Sequence, residues 1–253
     1  MGYSIVLNKE PKVIFLPVTY TKKVAGVRII GYDYSFPATV FFDRQIPGRK
    51  SQKEIYEIPL PFAPEKLGIK VLSDGSSEGI IINEPVPFKP LVIKNAVVLP
   101  EMKSFIGFAS DVALNLRKMV KGYWTSEDGR WLIKIDDKVK NRVTGKEEDT
   151  PISVSVNSGH LEASIRELKK HTVPGIFVLL AHEFGHYFLK TADEFACDKF
   201  AAELALNLGF SQTEILYAFS KTFKTMKPNL DAGLRIEREN RIVAIKDFIQ
   251  NWT

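Results

Sequence analysis

Two rhythms divide the chain. Over the first hundred positions, short runs rich in Val, Ile, Phe and Tyr predict strands at 12–21, 26–32, 38–43, 54–60, 68–72, 79–83 and 91–99. Pro and Gly clusters punctuate them at Ile46-Pro47-Gly48, Pro59-Leu60-Pro61, Ser73-Asp74-Gly75 and Pro85-Val86-Pro87. The prolines argue for turns and sheet edges, because proline cannot donate to a ladder. After Pro100-Glu101 the spacing changes. Phe105, Phe108, Ala109, Val112, Leu116 and Met119 form a helical stripe over 104–121, which Gly122 can close. Strands are predicted at 131–136 and 152–157, a charged loop at 137–150 and a short helix at 161–170. Four further signals predict helices over 174–188, 194–208, 211–225 and 231–249. Pro174 suits a first turn, Asp193 a cap, Gly209 a stop, and Ser211-Gln212-Thr213-Glu214 is a capping box. The expected fold class is α+β: a β-sandwich or barrel-like module over 1–100, then a domain of a few strands and three or more helices over 101–253.

Composition changes this picture little. The 253 residues are 45% hydrophobic and 26% charged, which suits a soluble chain of one large domain or two small ones. Lys9, Glu10 and Lys12 interrupt the first apolar stretch, so no signal peptide is expected, and no apolar run near the helices is long enough to span a bilayer. A cytoplasmic or virion-associated location follows as the expectation. Cys197, the single cysteine, has no internal disulfide partner. The formal charge of +5 comes from scattered basic residues, with no aromatic-interleaved stripe, which disfavours a nucleic-acid partner.

The chemistry concentrates in one place. His182-Glu183-Phe184-Gly185-His186 places two of the chain's four histidines four residues apart on a predicted helix. At that spacing both imidazoles share a face and can meet one ion. Glu183 then stands where a carboxylate could take a proton from an activated water. Ile176–Ala181 is apolar all round, so these polar groups enter a core in which, unpartnered, each would cost a few kcal/mol; a cation removes that cost. Zinc needs a third protein ligand, and Asp193, Glu194 and Asp198 all lie within reach.

The segment Glu194-Phe195-Ala196-Cys197-Asp198-Lys199-Phe200-Ala201 resembles the E-x-x-x-D segment of gluzincins. It is similar in particular to that of the CAAX-prenyl-protease-type zinc endopeptidases. The resemblance covers about residues 175–205. It implies one Zn2+ per chain held by His182, His186 and Glu194, with Asp198 orienting a ligand histidine, and Cys197 as inert packing. The connector from His186 to Glu194 is shorter than in relatives, which keeps Asp198 and Asp193 open as alternative ligands. The resemblance also implies that Ile152, Ser153, Val154, Ser155 and Val156 form a substrate-pairing edge strand. Arg241 or Arg235 is the candidate oxyanion stabiliser. His160 and His171 read as surface residues.

The expected activity is metal-assisted peptide hydrolysis with Glu183 as general base, acting on a peptide or protein substrate. A different class stands beside it: a structural or assembly protein, for example a virion component, whose first module docks to a larger assembly and which carries a metallopeptidase-like zinc-binding domain.

Overall fold

The computed structural model describes residues 2–49, 52–73, 78–91, 100–140, 144–148, 150–225 and 232–252. The fold is mixed α+β, with several sheets and six helices among the described residues. It divides into two compact units, Met1–Lys94 with Gly209–Ser211, and Asn95–Leu208 with Gln212–Thr253.

The first unit is built from antiparallel strands: β1 (Gly2–Val6), β2 (Lys12–Tyr20), β3 (Val24–Asp33), β4 (Val40–Arg49), β5 (Gln52–Leu60), β6 (Lys66–Leu72), β7 (Ile80–Ile82) and β8 (Phe88–Pro90). One sheet has the order β1-β6-β3-β4. The other has the order β5-β2-β7, with β8 also pairing β2. Alternation buries Ile14, Leu16, Val18 and Tyr20 from β2, while Ile29 from β3 and Leu67, Ile69 and Val71 from β6 supply further core. Pro47 and Pro59 do sit on edge strands, but Ile46-Pro47-Gly48 continues β4 instead of turning, paired to β3 through Gly26. At the irregularity between Gly31 and Tyr32 the Phe42 ring lies so close that a Cβ on Gly31 would meet it at 2.1 Å. The strands β1 and β8 go beyond those expected from sequence, and the strand expected at 91–99 lies almost wholly outside the described residues.

In the second unit α1 (Pro100–Asn115) buries Phe105, Phe108, Ala109 and Val112. It is followed by β9 (Gly122–Thr125), β10 (Leu132–Asp136), a two-stranded ribbon of β11 (Val139–Lys140) and β12 (Glu147–Glu148), β13 (Ile152–Val154) and β14 (Leu161–Ser164). The ribbon lies in the stretch expected as a loop. Residues 161–164 are a strand, not the start of a helix; only α2 (Ile165–Leu168) is helical there. Leu161 and Ala163 alternate inward, and pairing β14 to both β10 and β13 outweighs local helix preference. The sheet order is β13-β14-β10-β9, with β10 and β14 parallel.

Helix α3 (Val173–Leu189) runs through the core of this unit, with Val173–His182 buried along its whole length. Thr172 caps it by accepting from the Gly175 N–H at 3.3 Å, and Pro174 lies in its first turn. Phe184 holds its far face, stacked on Phe105 at a centroid distance of 4.0 Å and edge-on to Trp131 at 5.3 Å. Then come α4 (Glu194–Asn207), α5 (Gln212–Thr225) and α6 (Ala232–Gln250). Among the described residues no helix is long and apolar enough to cross a membrane.

Candidate metal centre

The site is made by a tight hairpin between α3 and α4. Lys190 ends α3 in the left-handed region (φ 52°), its N–H donating to the His186 carbonyl. Three residues later Asp193 opens α4, its Oδ1 accepting from the Phe195 and Ala196 N–H groups at 2.9 and 3.2 Å. The helices approach closely because position 185 carries no side chain. A Cβ there would lie 3.3 Å from the Cα and Cβ of Cys197 and from the Phe200 ring. That approach brings Glu194, in the first turn of α4, back over the two histidines.

His182 Nε2 lies 3.2 Å from His186 Nε2. One Glu194 oxygen lies 3.3 Å from His182 Nε2 and the other 3.5 Å from His186 Nε2. Ligand atoms of these three residues all fall within 4.8 Å of one another, so the cluster could hold a metal ion. Zinc binds imidazole nitrogen at about 2.0–2.1 Å in tetrahedral sites, which sets neighbouring ligand atoms about 3.3 Å apart. The two Nε2 atoms match that spacing, and the Glu194 carboxylate meets it with one oxygen toward each ring.

The other ring nitrogens are held from behind. His186 Nδ1 sits 2.9 Å from the Thr191 carbonyl, within the hairpin turn, which leaves Nε2 as the lone-pair nitrogen when the ring is neutral. His182 Nδ1 lies 2.8 Å from Asp198 Oδ1, close, but off the axis of the ring N–H. Asp198 is 1% exposed and takes a two-pronged pair from Arg241: Nε donates to Oδ2 at 2.7 Å and Nη2 to Oδ1 at 2.8 Å. The remaining Arg241 nitrogen, Nη1, reaches Glu194 Oε2 at 2.9 Å. One guanidinium on α6 therefore ties the candidate third ligand to the carboxylate behind the first.

Charges here are strongly coupled. Burial alone would lower the His182 imidazole, but Asp198 and Glu194 overcome it and hold it up at about 9. The His182 ring in turn holds Glu194 down at about 2, against the effect of burial. A cation binding at the Nε2 atoms competes with the His182 proton. Glu183 is half-buried on the same face; burial pushes its carboxyl up to about 7, with the positive charge of His182 opposing. The Val154 backbone N–H acts on it too, favouring the charged carboxylate. That N–H is free to do so because β13 is the last strand of its sheet. Pro151 and Ser155 turn their backbone groups to β14, so Val154 faces the open edge. Lys190 steadies the turn beyond β13 by donating Nζ to the Val156 carbonyl at 2.8 Å.

A cleft of about 300 Å³ opens on this face, lined by His182, Glu183, Glu194, Asp198, Arg241 and Arg238, with Leu179, Phe219 and Phe223 as its apolar wall. Thr150 and Pro151, just ahead of β13, form its rim.

No known protein family, curated protein or solved structure matches the chain.

Of the residues expected at the site, His182, His186 and Glu194 converge, Glu183 and Asp198 flank them, and Asp193 serves as a helix cap. Arg241 is present, but its guanidinium is engaged by two carboxylates. Arg235 is exposed on α6 and does not line the cleft. Of the expected substrate strand, Ile152–Val154 is strand and edge; Ser155 and Val156 belong to the following turn. Cys197 is buried 3.2 Å from His186 Nδ1, and burial pushes its thiol up to about 12, so it stays protonated. His171, expected at the surface, is 4% exposed; His160 is exposed. Gly185 and Arg238 were not singled out from sequence. A small residue between the two histidines was the one available signal for Gly185. Arg238, three residues before Arg241, shares its helix face, and that spacing was its signal.

Proposed function

We propose that this chain is a zinc-dependent metallopeptidase, and that its second unit is a zincin-like domain related in design to the gluzincins. The observation that carries the reading is the convergence of two Nε2 atoms and a carboxylate at zinc spacing, with a fourth group, Glu183, beside them on the cleft wall. A purely structural zinc site closes all four positions with ligands and has no use for such a carboxylate. For that reason hydrolysis is preferred to a structural or assembly role, such as that of a virion component.

A zinc ion held by His182, His186 and Glu194 would supply Lewis acidity, polarising water and a scissile carbonyl. The chain's own groups do the rest. Glu183 is the general base: it takes a proton from the attacking water and returns it to the leaving amine. The Val154 N–H, on the open strand edge, favours the charged form of the Glu183 carboxylate. Asp198 and Thr191 orient the histidine rings. Arg241 acts as a positioning residue, setting the placement of Glu194 and Asp198 together. An extended peptide lying along the open edge of β13 would gain main-chain hydrogen bonds while its side chains enter the cleft. The first unit, with its two antiparallel sheets read as a sandwich-like module, would serve as a docking module for substrate or an assembly.

The test uses metal-loaded protein, casein and a quenched peptide pool, with and without chelator. Cleavage that chelator abolishes and zinc restores is the expected result. One zinc per chain with no turnover of any peptide would favour the structural reading.

A further inference from the structure

Arg238 stands out among the cations of the cleft because no described residue forms an ion pair with it. It lies on α6 three residues before Arg241, so both guanidiniums share a helix face and line the same cavity as His182 and Glu183. Arg241 is fully engaged by Asp198 and Glu194. Among the described residues Arg238 has no ion pair, and its Nη1 is shielded from solvent without a hydrogen-bond partner. Such a donor is costly to leave unsatisfied. Burial, together with the like charge of Arg241, pushes this guanidinium below its ordinary range, with Glu237 opposing.

The surroundings narrow the kind of anion. Leu179, Phe219 and Phe223 give the cleft an apolar wall, where a charge-assisted hydrogen bond is stronger than in water. The remaining charges are mostly acidic: Glu183, Glu194, Asp198 and Glu237 all line the cavity. A doubly charged phosphate would be repelled there, whereas a single planar carboxylate matches the guanidinium fork. Glu237, adjacent in sequence, attracts Arg238 but forms no ion pair with it among the described residues, so the fork can take a ligand.

We propose that Arg238 is a specificity-determining residue that receives a carboxylate of the bound peptide, either an acidic side chain or the free C-terminus. The inference rests on the peptidase reading for the nature of the bound chain.

The probes are N-acetylated nonapeptides of Ala and Phe carrying Glu or Gln at one of successive positions, each made with a free or an amidated C-terminus. Binding is measured by calorimetry to the full-length zinc-loaded Glu183→Gln protein, and cleavage with the parent. At one position, or at the C-terminus, the acid should bind about ten- to a hundredfold tighter than its amide, the size of one charge-assisted hydrogen bond. The amidated series separates the two sources. Arg238→Gln should bring the acid-to-amide ratio close to one, Arg238→Lys should keep part of it, and Arg238→Glu should invert it in favour of Lys-bearing peptides. Cleavage without any acid preference, a preference that survives Arg238→Gln, or failure to bind any of these peptides overturns the proposal. Binding that discriminates acid from amide without cleavage would overturn the peptidase reading and leave the carboxylate site standing.

Discussion

Replacing Arg241 with Met tests the charge ledger of the site. The substitution keeps an apolar stem and removes the guanidinium from Asp198 and Glu194. Asp198 is 1% exposed and, among the described residues, would retain only His182 as partner. Breaking one side of a buried ion pair costs about 3–5 kcal/mol, because the other charge stays buried without compensation. The nearby imidazole carries part of that charge, so the lower end, about 3 kcal/mol, is expected. At about 2–4 °C per kcal/mol for a unit of this size, the melting temperature should fall by about 6–12 °C. Intrinsic tryptophan fluorescence is the assay, since Trp124, Trp131 and Trp252 all lie in the second unit. Zinc affinity, measured in parallel, should fall about 10–100-fold, the usual consequence of losing a group that orients the ligands. Adding Asp198→Asn to Arg241→Met should restore part of the stability, with a coupling of about 1–3 kcal/mol between the two changes. Unfolding of Arg241→Met within about 0.5 kcal/mol of the parent, or strict additivity of the two substitutions, would refute the reasoning.

Three other outcomes are expected. Glu183→Gln should keep its zinc, by elemental analysis, while peptide hydrolysis falls by about 10²–10⁴-fold or more; full activity would remove Glu183 as base. Gly185→Ala places a methyl 3.3 Å from the backbone of α4, so α4 must retreat: about 1–3 kcal/mol of destabilisation in urea and weaker zinc binding should appear together. His171 is buried with its Nδ1 unsatisfied, and burial, with Lys221, Lys170 and Arg117 nearby, holds it at about 4. The unfolded chain takes up this proton near pH 6.5, so stability is full above that pH, falls by about 1.4 kcal/mol per unit down to about 4, and then levels. Unfolding free energies from urea melts at pH 7 and 4.5 should therefore differ by about 2.4 kcal/mol less in His171→Leu than in the parent.

Local grammar made the helices around the site legible. Pro174 in a first turn, Asp193 as a cap and the spacing of His182 and His186 each act within one or two turns, and each predicts what α3 and α4 do. Long-range partners were not legible. Arg241 meets Asp198 across 43 positions, and nothing in either segment encodes that meeting. His171 looked like a turn residue because its neighbours are polar, yet the turn is tucked under the start of α3, with Arg117 bonded to its carbonyl. Residues 161–164 read as helix because they lead into one; pairing to β10 and β13 decides them, and that is a tertiary fact. The short connector after His186 argued against Glu194 on distance alone. The left-handed Lys190 and the bare backbone at Gly185 supply the reversal and close approach that bring it in.

Whether His182, His186 and Glu194 grip an ion is decided by titrating zinc into chelator-stripped protein and following the heat by calorimetry. One ion should bind per chain, with binding abolished when His182 and His186 are both replaced by Ala and sharply weakened by Glu194→Ala. No binding at saturating zinc, or undiminished binding by the double alanine variant, would contradict it.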